Sequence, residues 1–347
     1  LLNNIQKILV IKLRAIGDVI LSTIVIPNLR QAFPNAQIDF LTERPAADVV
    51  LGNPMLNHVH ILELKKIQSL PFKLRWKENR KFIRQIKEKK YDLVFDFFGN
   101  PRSALLTWLS KGKIRVGYNW RGRQFAYNRI IKSRAATVHE AEFHLDALRA
   151  FQIPIISHEL QFPIDDFSRH FALEFFNQHN LANKFVVGIN CSGGWAAKRW
   201  PVERFAELAD RLVTRYQARI LVLWGPQERL DAQKLAGLMK QPVTLAPPTT
   251  LKQSAALIKN CKLIVSNDSG PMHLAAALKV PTVGIFGPTN PKLQGPFGTM
   301  HEIARQETLP CLGCNKVKCD HVSCMLKLPV EVVWQAVERC LQKNYIA

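Results

Sequence analysis

No stretch of this chain stays apolar for the length a bilayer demands. The N-terminal run Ile8–Ile26 comes nearest, but Lys12, Arg14 and Asp18 interrupt it, which excludes both a spanning helix and a secretory signal. The reading therefore expects a cytoplasmic protein, and the start at Leu1 rather than Met leads it to expect a few residues ahead of it. No G-x-G-x-x-G follows any apolar run, so the dinucleotide fingerprint is missing. Tandem repeats and low-complexity tracts are missing too, which argues against solenoids and disordered linkers. The seven cysteines are odd in number, and without an export signal they read as reduced thiols rather than a disulfide framework. The largest shortfall is in negative charge. Against 48 Lys and Arg stand 27 Asp and Glu, a net charge of +21 that favours an anionic partner. Nucleic acid, an acidic membrane surface and a phosphorylated substrate all qualify, but no RNA or DNA module signature is present.

With 347 residues, 47% of them apolar and 22% charged, the chain suits an ordered globule of two domains. Apolar runs at Lys7–Leu13, Gln37–Leu41 and Asp92–Asp96 alternate with helical segments, the first of them running on through Arg30. The alternation restarts at Phe185–Asn190 and continues with Arg219–Trp224, Leu263–Val265 and Thr282–Phe286. This predicts an α/β protein of two doubly wound parallel units, residues 1–160 and 161–329, with Ile155–Asp166 as the linker. Val330–Gln342 reads as a closing amphipathic helix.

Four loops at predicted strand ends carry candidate chemistry. In Ser266–Ala277, SNDSGPMHLAAA, a strand gives way to Asp268, Ser269, Gly270 and Pro271 before an Ala-rich run containing His273. Asp and Ser cap helices, Pro suits the first turn, and the free N–H groups of such a start attract an anion. Gly193–Pro201, GGWAAKRWP, brings glycines beside Lys198 and Arg199, which can neutralise phosphate or form only a solvated turn. Glu228, after Trp224-Gly225-Pro226-Gln227, can accept from a ribose diol or simply start a helix. Arg14-Ala15-Ile16-Gly17-Asp18 ends the first strand, where Gly17 permits close approach and Asp18 is either an N-cap or a catalytic carboxylate.

Two further features stand apart. Cys311, Cys314, Cys319 and Cys324, with His321 among them, have spacings that suit zinc for the first pair and are irregular afterwards. A metal site, reduced thiols and an adventitious disulfide all remain open. The basic stretch Phe72–Lys90 has helical spacing and is expected to pack its Leu, Phe and Ile against a sheet. With Arg121 and Arg123 it also offers a docking face for anionic lipid.

Taken together, Arg14–Leu21, Phe33-Pro34, Ala197–Pro201, Asn267–Ala277 and Pro281–Thr289 resemble family 9 glycosyltransferases, the ADP-heptose:lipopolysaccharide heptosyltransferases, nearly end to end. The AKRWP and cysteine loops look most like the type that adds the second heptose. The resemblance implies a GT-B architecture, two Rossmann-like domains facing across a cleft, with the acceptor on the first, the donor on the second, and 330–347 crossing back to the first. It implies Asp18 as general base and donor contacts from Lys198, Glu228, Asp268, Ser269, Gly270, Pro271 and His273. Arg14, Gly17, Arg121 and Arg123 are its acceptor or loop candidates. The implied reaction is an inverting transfer from ADP-heptose to lipid A bearing inner-core sugars, at the inner membrane face, with no metal or other cofactor required and no nucleic acid involved. Asn190-Cys191-Ser192 departs from the turn many members carry. A transferase using another nucleotide-sugar, or a non-catalytic binding protein, is the competing expectation.

Overall fold

The computed structural model describes residues 4–345; Leu1 and the last two positions of the 330–347 segment lie outside the described residues. The chain divides between Pro163 and Ile164 into two units, each built on its own six-stranded sheet. In the first, β1 (Lys7–Ile11), β2 (Gln37–Glu43), β3 (His58–Leu62), β4 (Leu93–Asp96), β5 (Ile114–Tyr118) and β6 (Arg129–Ile131) lie in the order β3-β2-β1-β4-β5-β6. In the second, β7 (Val186–Asn190), β8 (Arg219–Val222), β9 (Val243–Leu245), β10 (Leu263–Asn267), β11 (Thr282–Ile285) and β12 (Glu302–Ala304) lie in the order β12-β11-β10-β7-β8-β9. Every pairing is parallel.

Counted from its own first strand, each sheet therefore follows the same doubly wound order, 3-2-1-4-5-6. Crossovers to either side of the first strand leave opposite faces, so a crevice opens where the order reverses, outside the carboxyl ends of the strands. In the first unit that point lies between β1 and β4, with Ile11 opposite Asp96. In the second it lies between β7 and β10, with Asn190 opposite Ser266. The sequence fills the strands accordingly. Ile8 to Ile11 and Leu263 to Asn267 are buried on both faces, the continuous apolar pattern that covered parallel strands require. Among the described residues no helix is long and apolar enough to cross a membrane.

Two local expectations change. The helical stretch expected to run through Arg30 is two helices, Ile16–Ser22 and Val25–Ala32. At the break the Thr23 hydroxyl donates to the Ile20 carbonyl at 2.6 Å and accepts the Gln161 N–H at 2.8 Å. The basic helix Phe72–Glu88 packs only its later turns, through Ile86 and the half-buried Phe82 and Ile83, while Phe72, Leu74 and Trp76 stand 78%, 48% and 55% exposed.

The closing helix, Val330–Tyr345, packs into the core of the second unit. Its buried face, Val333, Trp334, Val337 and Cys340 among it, shares one core with Val187, Val265, Val283 and Leu208. Trp334 stacks on Tyr216 at 5.7 Å between centroids, the Arg211 guanidinium lies 3.9 Å from its ring, and Arg211 pairs with Glu331 at 2.6 Å. The apolar stripe is already committed to this sheet. Trp334→Ala is expected to cost about 3–5 kcal/mol by emptying that site. Hydrogen exchange should show the loss concentrated in the second unit, and protection lost first in the first unit would refute this placement.

Candidate functional site

In the second unit both strands at the switch point end in a carboxamide. Asn267, the last residue of β10, is fully buried and ties three segments together. Its Nδ2 donates to the carbonyls of Cys191 at 2.8 Å and Ser192 at 3.2 Å, and its Oδ1 accepts the Trp200 N–H at 3.1 Å. Asn190, ending β7, donates to the Leu223 carbonyl at 3.2 Å and accepts from the Ser269 hydroxyl at 3.4 Å. The Gly193–Pro201 loop is thus pinned at both ends. Trp200 completes the anchor, buried and donating through Nε1 to the Leu328 carbonyl at 2.9 Å.

That framework aims Lys198 and Asp268 at each other. Lys198 Nζ lies 2.7 Å from Asp268 Oδ2, which also accepts from the Thr289 hydroxyl at 2.6 Å, and the ammonium sits 4.3 Å from the Trp195 ring centroid. Arg199 is held apart from it. Its guanidinium donates to the Gly193 carbonyl at 2.8 Å and to Asp231 at 3.0 Å, so the cation expected beside Lys198 stabilises the loop instead.

The helix Gly270–Ala277 begins beside this pair, with Ser269 at the N-cap and Pro271 in the first turn. The Ser269 side chain makes no cap hydrogen bond, because its hydroxyl turns back to Asn190, Ser266 and the Asn267 carbonyl. The first turn thus keeps uncapped N–H groups at the positive end of the helix, a favourable place for an anion. His273 is buried one turn further along. Glu228 lies beyond β8 at the start of the helix Arg229–Leu238, where its Oε2 accepts the Gly225 N–H at 2.9 Å.

In the first unit Asp18 is neither an N-cap nor remote from other charges. The helix starts at Ile16, which makes Asp18 the third helical residue, half-buried, its Oδ2 accepting the Ala15 N–H at 3.1 Å. The same edge holds a buried cation that the sequence reading used only to rule out a membrane span. Lys12 is 4% exposed, with Nζ 2.8 Å from Glu140 and 3.3 Å from the Phe97 carbonyl. Burial works against its charge, but Glu140, Asp18 and Asp96 together outweigh that and hold its pKa above the usual 10.5. Its contribution to stability is therefore present through neutral pH and is lost only as pH rises through that elevated value.

Asp96, ending β4, accepts from the N–H groups of Phe98 at 3.0 Å and Gly99 at 2.9 Å and from the Tyr127 hydroxyl at 2.7 Å. Burial lifts its carboxyl above the usual range in spite of those donors. Gly17 is buried and Arg14 exposed beside Asp18, while Arg121 and Arg123 follow β5 in an exposed to half-buried turn. Lys12, Asp96, Glu140 and Asn267 are the residues that the sequence reading missed as parts of the site. A lysine inside an otherwise apolar strand was the available signal for the first of them.

Two parallel doubly wound sheets, an anion-attracting helix start in one and a carboxylate beside a buried cation in the other, define an α/β protein equipped for a phosphorylated ligand. Residues 79–324 match glycosyltransferase family 9 (heptosyltransferase), and the chain belongs to that family. It is 28% identical to lipopolysaccharide heptosyltransferase 1 of Pseudomonas aeruginosa, over 91% of this chain and 88% of that one. It is likewise 28% identical to lipopolysaccharide heptosyltransferase 2 of Escherichia coli K12, over 90% of each. The crystal structure of a family 9 glycosyltransferase from Veillonella parvula superposes with a TM-score of 0.85 at 26% identity, covering 98% of both chains. The expected GT-B fold class is thereby met, and the protein is a glycosyltransferase. The equal identities to the two heptosyltransferase types leave the expected likeness to the second type without separate support.

Asn267→Ala removes the donor and acceptor that three buried backbone groups share. Each group left unpaired costs about 1–3 kcal/mol. The expected result is faster hydrogen exchange across residues 191–200, with the first unit unaffected. Unchanged exchange there would show that the loop is held by other means.

Proposed function

We propose that this protein transfers heptose from ADP-L-glycero-D-manno-heptose to the inner core of lipopolysaccharide, with inversion at the anomeric carbon. The observation that carries the reading is the pairing of chemistries at the two switch points within a family 9 chain. The helix start at Ser269–Gly270 and the cation of Lys198 suit a diphosphate, and Asp18 suits a base.

An acceptor hydroxyl is a weak nucleophile at neutral pH. A carboxylate that takes its proton during attack lowers the barrier, and direct attack on the anomeric carbon inverts it. Asp18 takes that role. Lys12 is a positioning residue whose charge favours the ionised form of Asp18 before the proton moves. As the bond to ADP breaks, negative charge grows on the diphosphate, and the helix start offsets it with fixed donors. Asp268 and Thr289 aim Lys198 at the same point, so these groups supply the electrostatics without a cation cofactor. Glu228 takes the ribose diol.

The test is product analysis with ADP-heptose, UDP-GlcNAc and GDP-mannose against truncated lipopolysaccharide acceptors. Heptose addition from ADP-heptose alone is expected, and turnover of another donor would overturn the assignment. Asp18→Asn should lower turnover by roughly 10²–10⁴ while leaving ADP affinity unchanged. Lys12→Met should move the acid limb of the pH–rate profile to higher pH, since removing a cation favours the protonated carboxyl. Near-normal turnover in Asp18→Asn removes it as the base, and an unmoved acid limb in Lys12→Met leaves that lysine a purely structural role.

The acceptor is a phosphorylated glycolipid, and the exposed turns of the helix Phe72–Glu88 suit the surface that carries it. Phe72, Leu74 and Trp76 project among Lys73, Arg75, Lys77 and Arg80, with Arg80 4.5 Å from the Trp76 ring. Each such basic residue contributes on the order of 1 kcal/mol near an anionic surface, an attraction that salt screens. The protein then works at the cytoplasmic face of the inner membrane as a peripheral enzyme. Sedimentation with anionic vesicles should exceed that with neutral ones and fall on Trp76→Ala with Arg80→Ala. Equal binding to both vesicles rules the surface out.

A further inference from the structure

In the first unit the short helix Leu64–Gln68 and the long helix Phe72–Glu88 are joined by residues 69–71 and leave an open groove of about 410 Å³ between them. Sites for small organic ligands span roughly 300–1,000 Å³. The floor of this one is apolar. Ile67 is buried in it, Ile61, Leu70 and Phe82 are half-buried, and Leu74 stands 48% exposed at its mouth. Leu74, Glu78 and Phe82 recur every fourth residue, so one stripe of the long helix forms a whole wall. Only the last turns of that helix are buried, through Ile86, which leaves the earlier part of the stripe facing the groove instead of a core.

The rim is basic. Lys66 and Lys81, both exposed, stand on opposite helices above the apolar floor. Glu63 and Glu78 line the groove as well, but Glu63 is engaged by Arg44. Across the two helices, two lysines on the first and seven Lys and Arg on the second stand against Glu78 and Glu88 alone, and Glu88 is paired with Arg84 at 2.7 Å. A hydrocarbon tail with a negative head matches both parts. A neutral apolar ligand would leave the rim unmatched, and nucleic acid would leave the floor empty.

We infer that this groove seats one acyl chain of an anionic bilayer phospholipid, with Lys66 and Lys81 receiving its phosphate, an assignment that rests on the peripheral attachment proposed above. It adds a defined seat to an attraction that is otherwise diffuse. The position suits the task. Ile61 lies at the carboxyl end of β3, where Leu62 is opposite Glu43, and all strands of this sheet run parallel. The groove therefore opens at the same edge of the first unit that carries Asp18 beyond β1. Leu74 belongs both to the groove and to the exposed apolar set with Phe72 and Trp76, so a chain entering from the bilayer meets continuous apolar surface. The lipid is a tether that holds the edge bearing the base against the membrane, and it takes no part in the transfer.

The test uses the full chain and short-chain phosphatidylglycerol below its micelle concentration, so that the groove is read without any bilayer. Calorimetry should show one dioctanoyl-phosphatidylglycerol bound per protein. One chain in the groove buries two more methylenes than the dihexanoyl form, and at about fourfold per methylene the longer lipid should bind roughly fifteenfold more tightly. Dioctanoyl-phosphatidylcholine, without net charge, should bind more weakly, and glycerophosphoglycerol, without a chain, should not bind. Leu74→Asp, at an exposed site that the fold does not need, should weaken binding at least about tenfold by placing a charge at the apolar mouth. Leu173→Asp, an exposed leucine of the second unit, should leave it unchanged. Bound lipid should slow hydrogen exchange at 61–85. Equal binding of phosphatidylcholine, no gain from the longer chains, unaltered binding in Leu74→Asp, or a protein dimer that Leu74→Asp dissolves would each overturn the seat. Preference for anionic vesicles without saturable binding of the monomeric lipid overturns the groove and spares the surface attraction, whereas loss of that preference takes down the attachment on which the groove rests.

Discussion

One buried carboxamide sets the geometry on which the second unit depends. A lysine on an unanchored loop has no fixed position, because its flexible side chain spends most of its time in water. Asn267 removes that freedom by accepting from Trp200 and donating to Cys191 and Ser192, so that both ends of the Lys198 loop are fixed to the end of β10. A neutral side chain can do this at full burial with every hydrogen-bonding group satisfied, whereas a carboxylate of the same shape could not donate to the two carbonyls. Lys198 then meets Asp268 at a distance set by the backbone and not by chance side-chain encounters.

The first unit meets the same topological position with the opposite electrostatic choice. The fourth strand of its sheet ends in Asp96, which is buried and gathers N–H and hydroxyl donors. Near it Lys12 compensates three carboxylates from three different segments, Asp18, Asp96 and Glu140. Removing any one of these charges changes what the others cost to keep ionised, because a buried charge without a partner is expensive. His144 touches this cluster, with Nε2 3.7 Å from Glu140, but adds no charge to it. Buried against Phe97 and close to Lys12, it is held well below its ordinary pKa and is neutral at physiological pH.

The sequence made the architecture legible because buried parallel strands are long apolar runs. β1, β2, β4, β7, β8, β10 and β11 were read within a few residues. β3, β5, β6, β9 and β12 were not. Three of them are three-residue strands at or next to a sheet edge, too short for any period to register, and the histidines of His58–Leu62 hide its alternation. At the site, the helix start at Ser269 was legible from its capping chemistry. The ion pair between Lys198 and Asp268 was not, since residues 70 positions apart meet only through the fold. The tail helix shows the same limit: its apolar stripe was visible, but which sheet it covers depends on Tyr216 and Arg211, far away in sequence.

The burial of the thiols also gives the molecule a chemical asymmetry. Cys191 and Cys340 are pushed by burial to about 11 and about 12, and Cys261 is raised further in the same direction. At neutral pH these three are almost wholly protonated and sheltered, so electrophiles and peroxides find little thiolate there. Cys311, Cys314 and Cys319 alone combine a thiol with access to solvent. A maleimide dye or spin label applied briefly to the native enzyme should therefore mark this one segment of the second unit. The wild-type chain thus carries an attachment point for a reporter without engineering.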